Sequence, residues 1–328
     1  MKPDLNAAIQ PLVVGLNAVI FAASEGELKV LVTESVEGGE PALPFGPFDP
    51  SAHRTFEIGL REWVRDQTGF ELGYVEQLYT FGDRGREAPL AALAGAQDAR
   101  VLSVGYLGLT PDARPLNNTE AHWDSWTRFF PWEDHRCGRP AILTRVIEPA
   151  LRSWCDEAAA PGRRAARFDR VRATFGLDGA LWNEERALDR YELLYEAGLV
   201  AEAARDRGEP NAAPDGMGVA MASDHRRILA TALSRLRGKI KYRPVVFELM
   251  SDSFTLSDLQ RVVESVSGFP LHKQNFRRAL DRAGFVAGTG RVESQTGGRP
   301  AELYRFAREN LTAGAALGLS IPRAKESG

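Results

Sequence analysis

Cysteine is scarce in this chain of 328 residues, which contains only Cys137 and Cys155. The two lie apart and form no CxxC pair, which argues against a disulfide framework or a zinc ribbon and fits a reducing compartment. Low-complexity tracts and internal repeats are also missing. With 44% hydrophobic and 26% charged residues, the composition is that of a globular protein. At about 100–200 residues per domain, the length predicts two or three domains.

Long hydrophobic runs are missing as well. No stretch approaches the roughly 18 apolar residues of a membrane span. The apolar start, "MKPDLNAAIQPLVVGLNAVIFAAS", is interrupted by Asn17 and is followed by a second strand-like run. It therefore predicts a β-hairpin instead of a signal peptide. We expect a cytoplasmic protein without a membrane partner.

The net charge is −3 over the whole chain but is unevenly distributed. Residues 235–308 contain 14 Lys and Arg against 7 Asp and Glu, so this segment carries +7 and the remainder carries −10. A basic C-terminal module on an acidic body predicts a polyanionic partner for that module alone.

Residues 1–112 are predicted to form a mixed α/β body. The pattern of β-branched residues predicts strands over 12–22, 27–34, 74–82 and 100–109. The stretch "TFEIGLREWVRDQTGF" predicts a helix that ends at Gly69. Its apolar face is formed by Phe56, Leu60, Trp63 and Val64.

Residues 113–222 form a less regular middle segment. Its first part, "HWDSWTRFFPWEDHRCGRP", is rich in aromatic residues, and an amphipathic pattern over 180–204 predicts one helix. Residues 205–218 are typical of an exposed linker or long loop. A long connecting helix is then predicted over 223–242, with Ser223 or Asp224 as its N-cap.

Residues 243–308 have the parts of a winged helix-turn-helix, and 309–328 form a tail. A short helix follows Pro244, and the next helix has Thr255 as its cap and Asp258 at the capping-box position. A turn leads to "LHKQNFRRALDRAG", and two strands with a Gly-rich tip follow. This order is that of a DNA-binding winged helix.

The helix "HKQNFRRALDRAG" has a small apolar face and an outer face of Arg, Lys, Gln and Asn. Such a face suits the DNA major groove, because Arg binds guanine, Asn and Gln bind adenine, and Lys binds phosphate. The hairpin tip would present Arg299 to the DNA backbone or the minor groove. A protein-binding winged helix is the alternative. The predicted DNA-binding residues are Thr255, Lys273, Gln274, Asn275, Arg277, Arg278 and Arg299.

The stretch "REWVRDQTG", which follows "LPFG", resembles the Nudix motif G-x5-E-x7-R-E-U-x-E-E-x-G-U, in which U is bulky and apolar. In that family the glutamates hold a divalent metal that activates water. Two registers fit this chain, and neither keeps a full carboxylate cluster. We therefore expect a Nudix-like pocket without hydrolysis, with no catalytic and no metal-binding residue. The non-matching residues include Pro47, His53 and Arg65 in one register and Arg54, Glu62, Trp63 and Gln67 in the other.

A Nudix-like body joined to a winged helix resembles the NrtR group of transcriptional regulators of NAD metabolism. The resemblance rests on "QLYTFGDRGRE", "VLSVGYLGL", "DHRRILATALSRLRGKIKYRPVVFELM" and "GGRPAELYRF". The extra middle segment resembles the longer NadQ-type repressors of NAD biosynthesis genes. The resemblance implies an α+β fold, with a Nudix-like mixed sheet, a helical middle segment and a C-terminal winged helix. It also implies a homodimeric repressor that binds double-stranded operator DNA, requires no cofactor, and senses NAD, ADP-ribose or ATP.

The candidate ligand-binding residues are Arg61, Tyr79, Phe81, Arg84 and Arg86. Arg84 and Arg86 follow a strand in a Gly-rich turn, where they suit a diphosphate as well as they suit a solvated loop. The stretch "WEDHRC" favours an aromatic-anchored loop with ion-paired charges over a metal site, because no second cluster has ligand spacing. The neighbouring aromatic residues are predicted to be mostly core, although they could stack on an adenine.

Two other classes of function stay open. One is a Nudix hydrolase of a nucleoside diphosphate compound with an appended winged helix, and the other is a protein-interaction scaffold. The presence of metal ligands would distinguish a hydrolase from a repressor. DNA binding would distinguish a repressor from a protein-interaction scaffold. The sequence does not specify the operator, the effector, or the direction in which the effector changes DNA affinity.

Overall fold

The computed structural model describes residues 11–34, 39–83, 99–111, 113, 121–210, 213–293 and 300–313. Within these ranges a seven-stranded mixed sheet and a separate two-stranded sheet are present. The strands of the larger sheet are β1 (Leu12–Ser24), β2 (Glu27–Glu34), β3 (Pro41–Ala42), β4 (Phe45–Pro47), β5 (Tyr74–Phe81), β6 (Arg100–Thr110) and β7 (Ala121–Ser125). The smaller sheet pairs β8 (Val286–Glu293) with β9 (Ala301–Phe306).

Helices surround the larger sheet and form most of the C-terminal module. A π-helical segment, Leu143–Ile147, leads into α2, and a 3-10 helix, Val245–Leu249, follows α6. The α-helices are α1 (Phe56–Thr68), α2 (Glu148–Asp156), α3 (Pro161–Phe175), α4 (Ala187–Glu196), α5 (Ala201–Arg207), α6 (His225–Tyr242), α7 (Leu256–Ser267) and α8 (Lys273–Ala283).

The long strand β1 organises the sheet. It runs parallel to β6 and antiparallel to β2 and β4, and the order along the main path is β3-β2-β1-β6-β5. Because alternate side chains of a strand point to opposite faces, β1 contributes to two apolar layers. Leu16 and Ile20 pack in one layer with Leu60 of α1, whereas Val19 and Phe21 pack in the other, which contains the buried side of α6.

The larger apolar layer continues from the sheet into the middle segment and the winged helix. Trp126, Phe129, Phe130 and Trp132 are buried in it, which confirms that these aromatic residues belong to the core. The same layer includes residues of α6, α7 and α8. The aromatic-rich stretch therefore connects the sheet with the helices that follow it.

Most predicted elements are confirmed. The strands over 12–22, 27–34, 74–82 and 100–109, the helix that ends at Gly69, and the helix that follows Asp224 are all present. The prediction of one helix over 180–204 is wrong. Gly198, with φ of +75°, separates α4 from α5. A backbone in this left-handed region ends a helix.

The predicted exposed linker or long loop over 205–218 is confirmed as a loop for the described residues from Gly208 onward, but its two ends differ from an exposed linker. Arg205 belongs to α5, and its guanidinium donates hydrogen bonds to the carbonyls of Met221 and Ser223. Met217 is buried in the core. In the described part of the chain, no helix is both long and apolar enough to cross a membrane.

Candidate functional site

Helix α8 has the predicted two-sided character. Phe276 and Leu280 are buried against the rest of the winged helix, and Gly284 ends the helix in the left-handed conformation. The outer face is polar and mostly basic. Its exposed residues are Lys273, Gln274, Arg277, Arg278, Asp281 and Arg282, and Asn275 is half-buried.

The cations on this face are not neutralised by any residue that the structure describes. Among the residues that the structure describes, Lys273, Arg277 and Arg278 form no ion pair within 4 Å. An exposed row of unneutralised Lys and Arg on a helix with an apolar inner face is the arrangement that binds nucleic acid phosphates and bases.

Side-chain hydrogen bonds are made at both ends of α7. The Thr255 side chain accepts from the Asp258 backbone N–H, and the Asp258 carboxylate accepts from the Thr255 backbone N–H, so the predicted capping box is confirmed. At the other end of α7, Glu264 accepts from the backbone N–H of Leu271 at 2.8 Å. The Glu264 bond ties the turn that leads into α8 to the last part of α7.

Two of the predicted DNA-binding residues, Thr255 and Arg299, do not belong to α8. Thr255 is 7% exposed, and its hydroxyl already donates to Asp258 at 2.7 Å, so the structure accounts for this residue as a helix cap. Arg299 lies outside the described residues. The strands that lead to and from its tip, β8 and β9, are antiparallel, as predicted for a wing.

Helix α1 carries charges that are paired within the chain. Arg61 pairs with Glu57 at 2.8 Å, and its guanidinium also donates to the backbone carbonyls of Leu72 and Gly73. His53 lies 3.2 Å from the Glu62 carboxylate. No group of three or more His, Cys, Asp or Glu suited to a metal ion occurs among the described residues.

Residues at the non-matching motif positions hold the neighbouring backbone. Gln67 exchanges two hydrogen bonds with Phe45, accepting from its N–H at 3.1 Å and donating to its carbonyl at 2.6 Å. Trp63 donates to the Pro47 carbonyl and covers Gly46, where a Cβ atom would lie 2.2 Å from the indole. In this part of α1, side chains therefore fasten β4 to the helix.

Of the predicted ligand residues that the structure describes, Tyr79 and Phe81 lie together and Arg61 lies apart from them. Phe81 packs in the layer that contains α6, with Tyr79 at 5.3 Å between ring centroids, whereas Arg61 belongs to α1 on the opposite face of the sheet. Arg84 and Arg86 lie outside the described residues. Tyr79 is 60% exposed and Phe81 is buried, and both line a groove on the outer side of α6.

A buried ion cluster joins the middle segment to α6. The Glu133 carboxylate pairs with the guanidiniums of Arg190 and Arg237, and all three side chains are fully buried. Burial alone would raise the pKa of Glu133, but the two guanidiniums outweigh it and hold the pKa below its usual value. The prediction of ion-paired charges in "WEDHRC" is confirmed for Glu133. The sequence did not indicate its two partners.

The same junction holds the C-terminal end of α7. Arg237 donates to the Val266 carbonyl at 2.9 Å, and the His135 backbone N–H donates to the Gly268 carbonyl at 2.7 Å. The His135 ring stacks on Phe269, and its burial lowers the pKa of the imidazole to about 4. The C-terminal end of α7 is therefore tied directly to the body.

Comparison with known proteins agrees with this geometry. The family model described as the NrtR DNA-binding winged helix domain matches residues 246–306. The ADPR responsive transcriptional repressor NtrR of Acinetobacter baylyi is 37% identical over 106 residues, which are 32% of this chain and 42% of that protein. The aligned part is thus less than half of that relative's length.

Two solved structures resemble almost the whole chain. Shewanella oneidensis NrtR complexed with a 27mer DNA has a TM-score of 0.53 at 20% identity, over 91% of this chain and 95% of that chain. A MutT/nudix family protein from Enterococcus faecalis has a TM-score of 0.51 at 16% identity, over 92% and 89%. At these identities the likeness shows the fold, a Nudix-like mixed sheet with a C-terminal winged helix. The chain is thus similar to NrtR proteins in its fold, and its residues 246–306 match the NrtR-type winged helix domain.

Proposed function

We propose that this protein is a transcriptional repressor that binds double-stranded operator DNA through α8. The observation that carries the proposal is the outer face of α8, on which Lys273, Arg277 and Arg278 are exposed and have no ion pair among the described residues. The A. baylyi relative is a repressor, and the S. oneidensis relative was crystallised with DNA, which supports this choice over a protein-binding winged helix.

The proposed contacts divide into two kinds. Arg277 and Arg278 bind guanine edges, and Gln274 or Asn275 binds adenine, because these side chains match the donors and acceptors of the major groove. Lys273 binds phosphate, as does Arg299 on the wing, and such contacts fix the position of the protein without reading the sequence. Thr255 lies at the start of α7 and contributes through its cap.

We further propose that the effector is ADP-ribose and that the regulated genes belong to NAD biosynthesis. The support is the A. baylyi relative, which is described as ADPR responsive. NAD and ATP are the competing effectors, and the protein would need no resident cofactor. In this proposal, residues 1–112 form the effector-binding domain, 113–222 form a helical middle segment, 223–242 form the connecting helix, 243–308 bind DNA, and 309–328 are a tail.

The proposed sensor is catalytically inactive. Metal-assisted hydrolysis of a diphosphate needs several carboxylates that converge on a divalent ion. In the two registers of the motif, His53, Arg65 and Gln67 stand where carboxylates are needed, and Gln67 is engaged with the backbone of Phe45. This argument favours a repressor over a Nudix hydrolase with an appended winged helix.

We propose that the repressor acts as a homodimer on a two-fold operator. A single winged helix covers a small footprint, and a two-fold pair doubles it. Two α8 helices in successive major grooves on one side of the duplex require half-sites about 34 Å apart, or a multiple of that distance.

The experiment that tests the proposal is a selection followed by a titration. The full chain selects duplexes from a randomised pool, and the selected duplex is titrated with and without ADP-ribose, NAD and ATP at a fixed salt concentration. We expect an enriched two-fold sequence and a change in affinity caused by ADP-ribose. Failure to enrich any sequence would remove the repressor function.

A further inference from the structure

Residues 133–136, within "WEDHRC", lie between the body and α7 and take no part in the proposed contacts to DNA. Glu133 and His135 are buried, and Asp134 and Arg136 are half-buried. Burial of charged groups costs free energy unless the groups are paired and hydrogen-bonded. The partners of these four residues therefore show what the segment holds in place.

The first set of contacts is with the C-terminal end of α7. Glu133 pairs with Arg237 of α6, and Arg237 donates to the Val266 carbonyl at 2.9 Å. The His135 backbone N–H donates to the Gly268 carbonyl at 2.7 Å. Gly268 has φ of +76°, and a Cβ atom there would collide with the Glu133 carbonyl oxygen, so only glycine permits this approach. The carbonyls at the end of a helix have no partner within the helix, and here the partners come from outside the winged helix.

The second set of contacts joins α7 to the turn between β1 and β2. Ser265 is fully buried. Its hydroxyl accepts from the Leu28 N–H at 2.8 Å and donates to the Glu27 carboxylate at 3.1 Å. The same carboxylate accepts from Nη1 of Arg136 at 2.6 Å, and the other two guanidinium nitrogens donate to Asp134 at 2.9 Å each. A guanidinium held by two carboxylates has a fixed orientation, because its donors form a rigid fork.

These bonds are directional, whereas the remaining packing of α7 is apolar. Leu259 and Val263 pack in the large apolar layer, and apolar contact favours burial without fixing an angle. Successive residues of a helix point about 100° apart, so the bonds at Ser265 and Val266 leave α7 in different directions. Together they oppose both rotation and tilt of α7 at this end. Because Glu264 accepts from the Leu271 N–H, the turn that leads into α8 is held with it.

We propose that residues 133–136 are positioning residues, which fix the orientation of the winged helix on the body and thereby the half-site spacing that the repressor accepts. The inference rests on the proposed function in taking the protein to be a homodimer on a two-fold operator. In such a dimer the distance between the two α8 helices must equal the distance between half-sites. A winged helix whose orientation varied would accept several spacings.

The test compares operators of different spacing. The selected two-fold duplex is titrated beside duplexes with one or two base pairs inserted between the half-sites, and beside a duplex with a single half-site. Each inserted base pair rotates one half-site by about 34° about the helix axis. The unmodified chain is expected to bind the lengthened duplexes at least tenfold more weakly than the selected one.

The variant is Arg136→Ala with Ser265→Ala. It is expected to lower this discrimination to less than about threefold and to bind the single half-site within twofold of the unmodified chain. The matched control is Arg152→Ala with Ser153→Ala, because Arg152 also binds two carboxylates, those of Glu148 and Asp178. The control should keep the full discrimination. If the double variant does not fold, Ser265→Ala alone, which removes one hydroxyl, is compared in the same way.

Two results would overturn the inference. One is a variant that discriminates between spacings as strongly as the control. The other is an equal loss of affinity for every duplex, the single half-site included, because that loss would show a role in folding alone.

A readout without DNA separates this inference from the proposed function. If the unmodified chain binds no duplex, the repressor function fails, and hydrogen exchange of the His135 backbone N–H decides the inference. This N–H bonds to Gly268 across the junction, and neither substitution removes its acceptor. It should exchange at least tenfold faster in the Arg136 and Ser265 variant than in the control. Equal exchange rates would show that the segment does not hold the winged helix.

Discussion

Helices α1 and α8 are built alike and differ in what they do with their charges. Each buries a short apolar stripe, Leu60 and Val64 on α1 and Phe276 and Leu280 on α8. Each ends at a glycine in the left-handed conformation. The two helices are therefore equivalent as packing elements, and the difference in function must come from their outer faces.

The cations on the outer face of α1 have partners within the chain, whereas those of α8 have no ion pair among the described residues. Arg61 is held by Glu57 and by carbonyls of the following loop, and Arg65 lies 3.4 Å from Asp66. On α8, Arg277 and Arg278 have no ion pair in the described part of the chain. A charge that is paired within the chain stabilises the fold, whereas an exposed charge without a partner can bind a ligand. The predictions below test this distinction.

The largest expected effect is on stability, and it should be similar for both helices. Phe276→Ala is expected to cost about 3–5 kcal/mol of unfolding free energy, and Leu60→Ala about 2–5 kcal/mol, because each deletion leaves a cavity in a closed core. Guanidinium denaturation measures both. A cost below about 1 kcal/mol for either variant would mean that its helix is not packed as described.

The next effect should separate the helices. Arg277→Ala and Arg278→Ala are each expected to reduce the free energy of operator binding by about 1–3 kcal/mol, because each removes a contact to a base edge. Lys273→Ala and Arg299→Ala should instead weaken binding evenly across sequences and reduce the salt slope by about 1 each. Anisotropy titrations at two salt concentrations measure these quantities.

The control for these variants comes from the other helix. Arg54→Ala with Arg65→Ala removes two exposed cations beside and on α1. Operator affinity of this variant should equal that of the unmodified chain. If it falls as far as that of Arg277→Ala, the binding is a general effect of net charge, and the assignment of α8 is wrong.

A smaller effect concerns the first turns of the two helices. The Thr55 hydroxyl accepts from the Ile58 N–H at the start of α1, whereas His272 makes no such bond at the start of α8. Thr55→Ala should therefore cost about 1 kcal/mol. His272→Ala should cost less than about 0.5 kcal/mol, as is usual for surface positions. Equal costs, measured by denaturation midpoints, would contradict the difference in capping.

The smallest expected effect is that of a divalent metal. Because α1 lacks a carboxylate cluster among the described residues, millimolar Mg²⁺ or Mn²⁺ should leave the melting temperature unchanged. Turnover of ADP-ribose, NAD or diadenosine compounds should stay below about 1 s⁻¹, the low end for enzymes. Faster product formation would restore the hydrolase as the function.

Local features of the sequence predicted more than distant ones. The capping box of Thr255 and Asp258 and the two faces of α8 depend on residues within a few positions of each other, and both are confirmed. The partners of Glu133 lie 57 and 104 residues away, on α4 and α6, so no local pattern could indicate them. The positions of the predicted ligand residues likewise depend on strand order, which local sequence does not indicate.

The grouping of Arg61 with Tyr79 and Phe81 shows why strand order matters. They are near in sequence, but Arg61 lies on the α1 side of the sheet, and Phe81 packs on the α6 side. The sheet depends on the parallel pairing of β1 with β6, and these two strands are far apart in sequence.

The central claim is that a nucleotide bound to the body controls a DNA-binding surface on α8. The most direct measurement is the affinity of ADP-ribose for the free protein and for the protein saturated with operator DNA, by calorimetry in one buffer. Linkage requires that DNA change nucleotide affinity by the same factor by which the nucleotide changes DNA affinity, typically 5- to 150-fold or about 1–3 kcal/mol. We predict a difference of this size. Equal ADP-ribose affinities in the two forms would contradict the account.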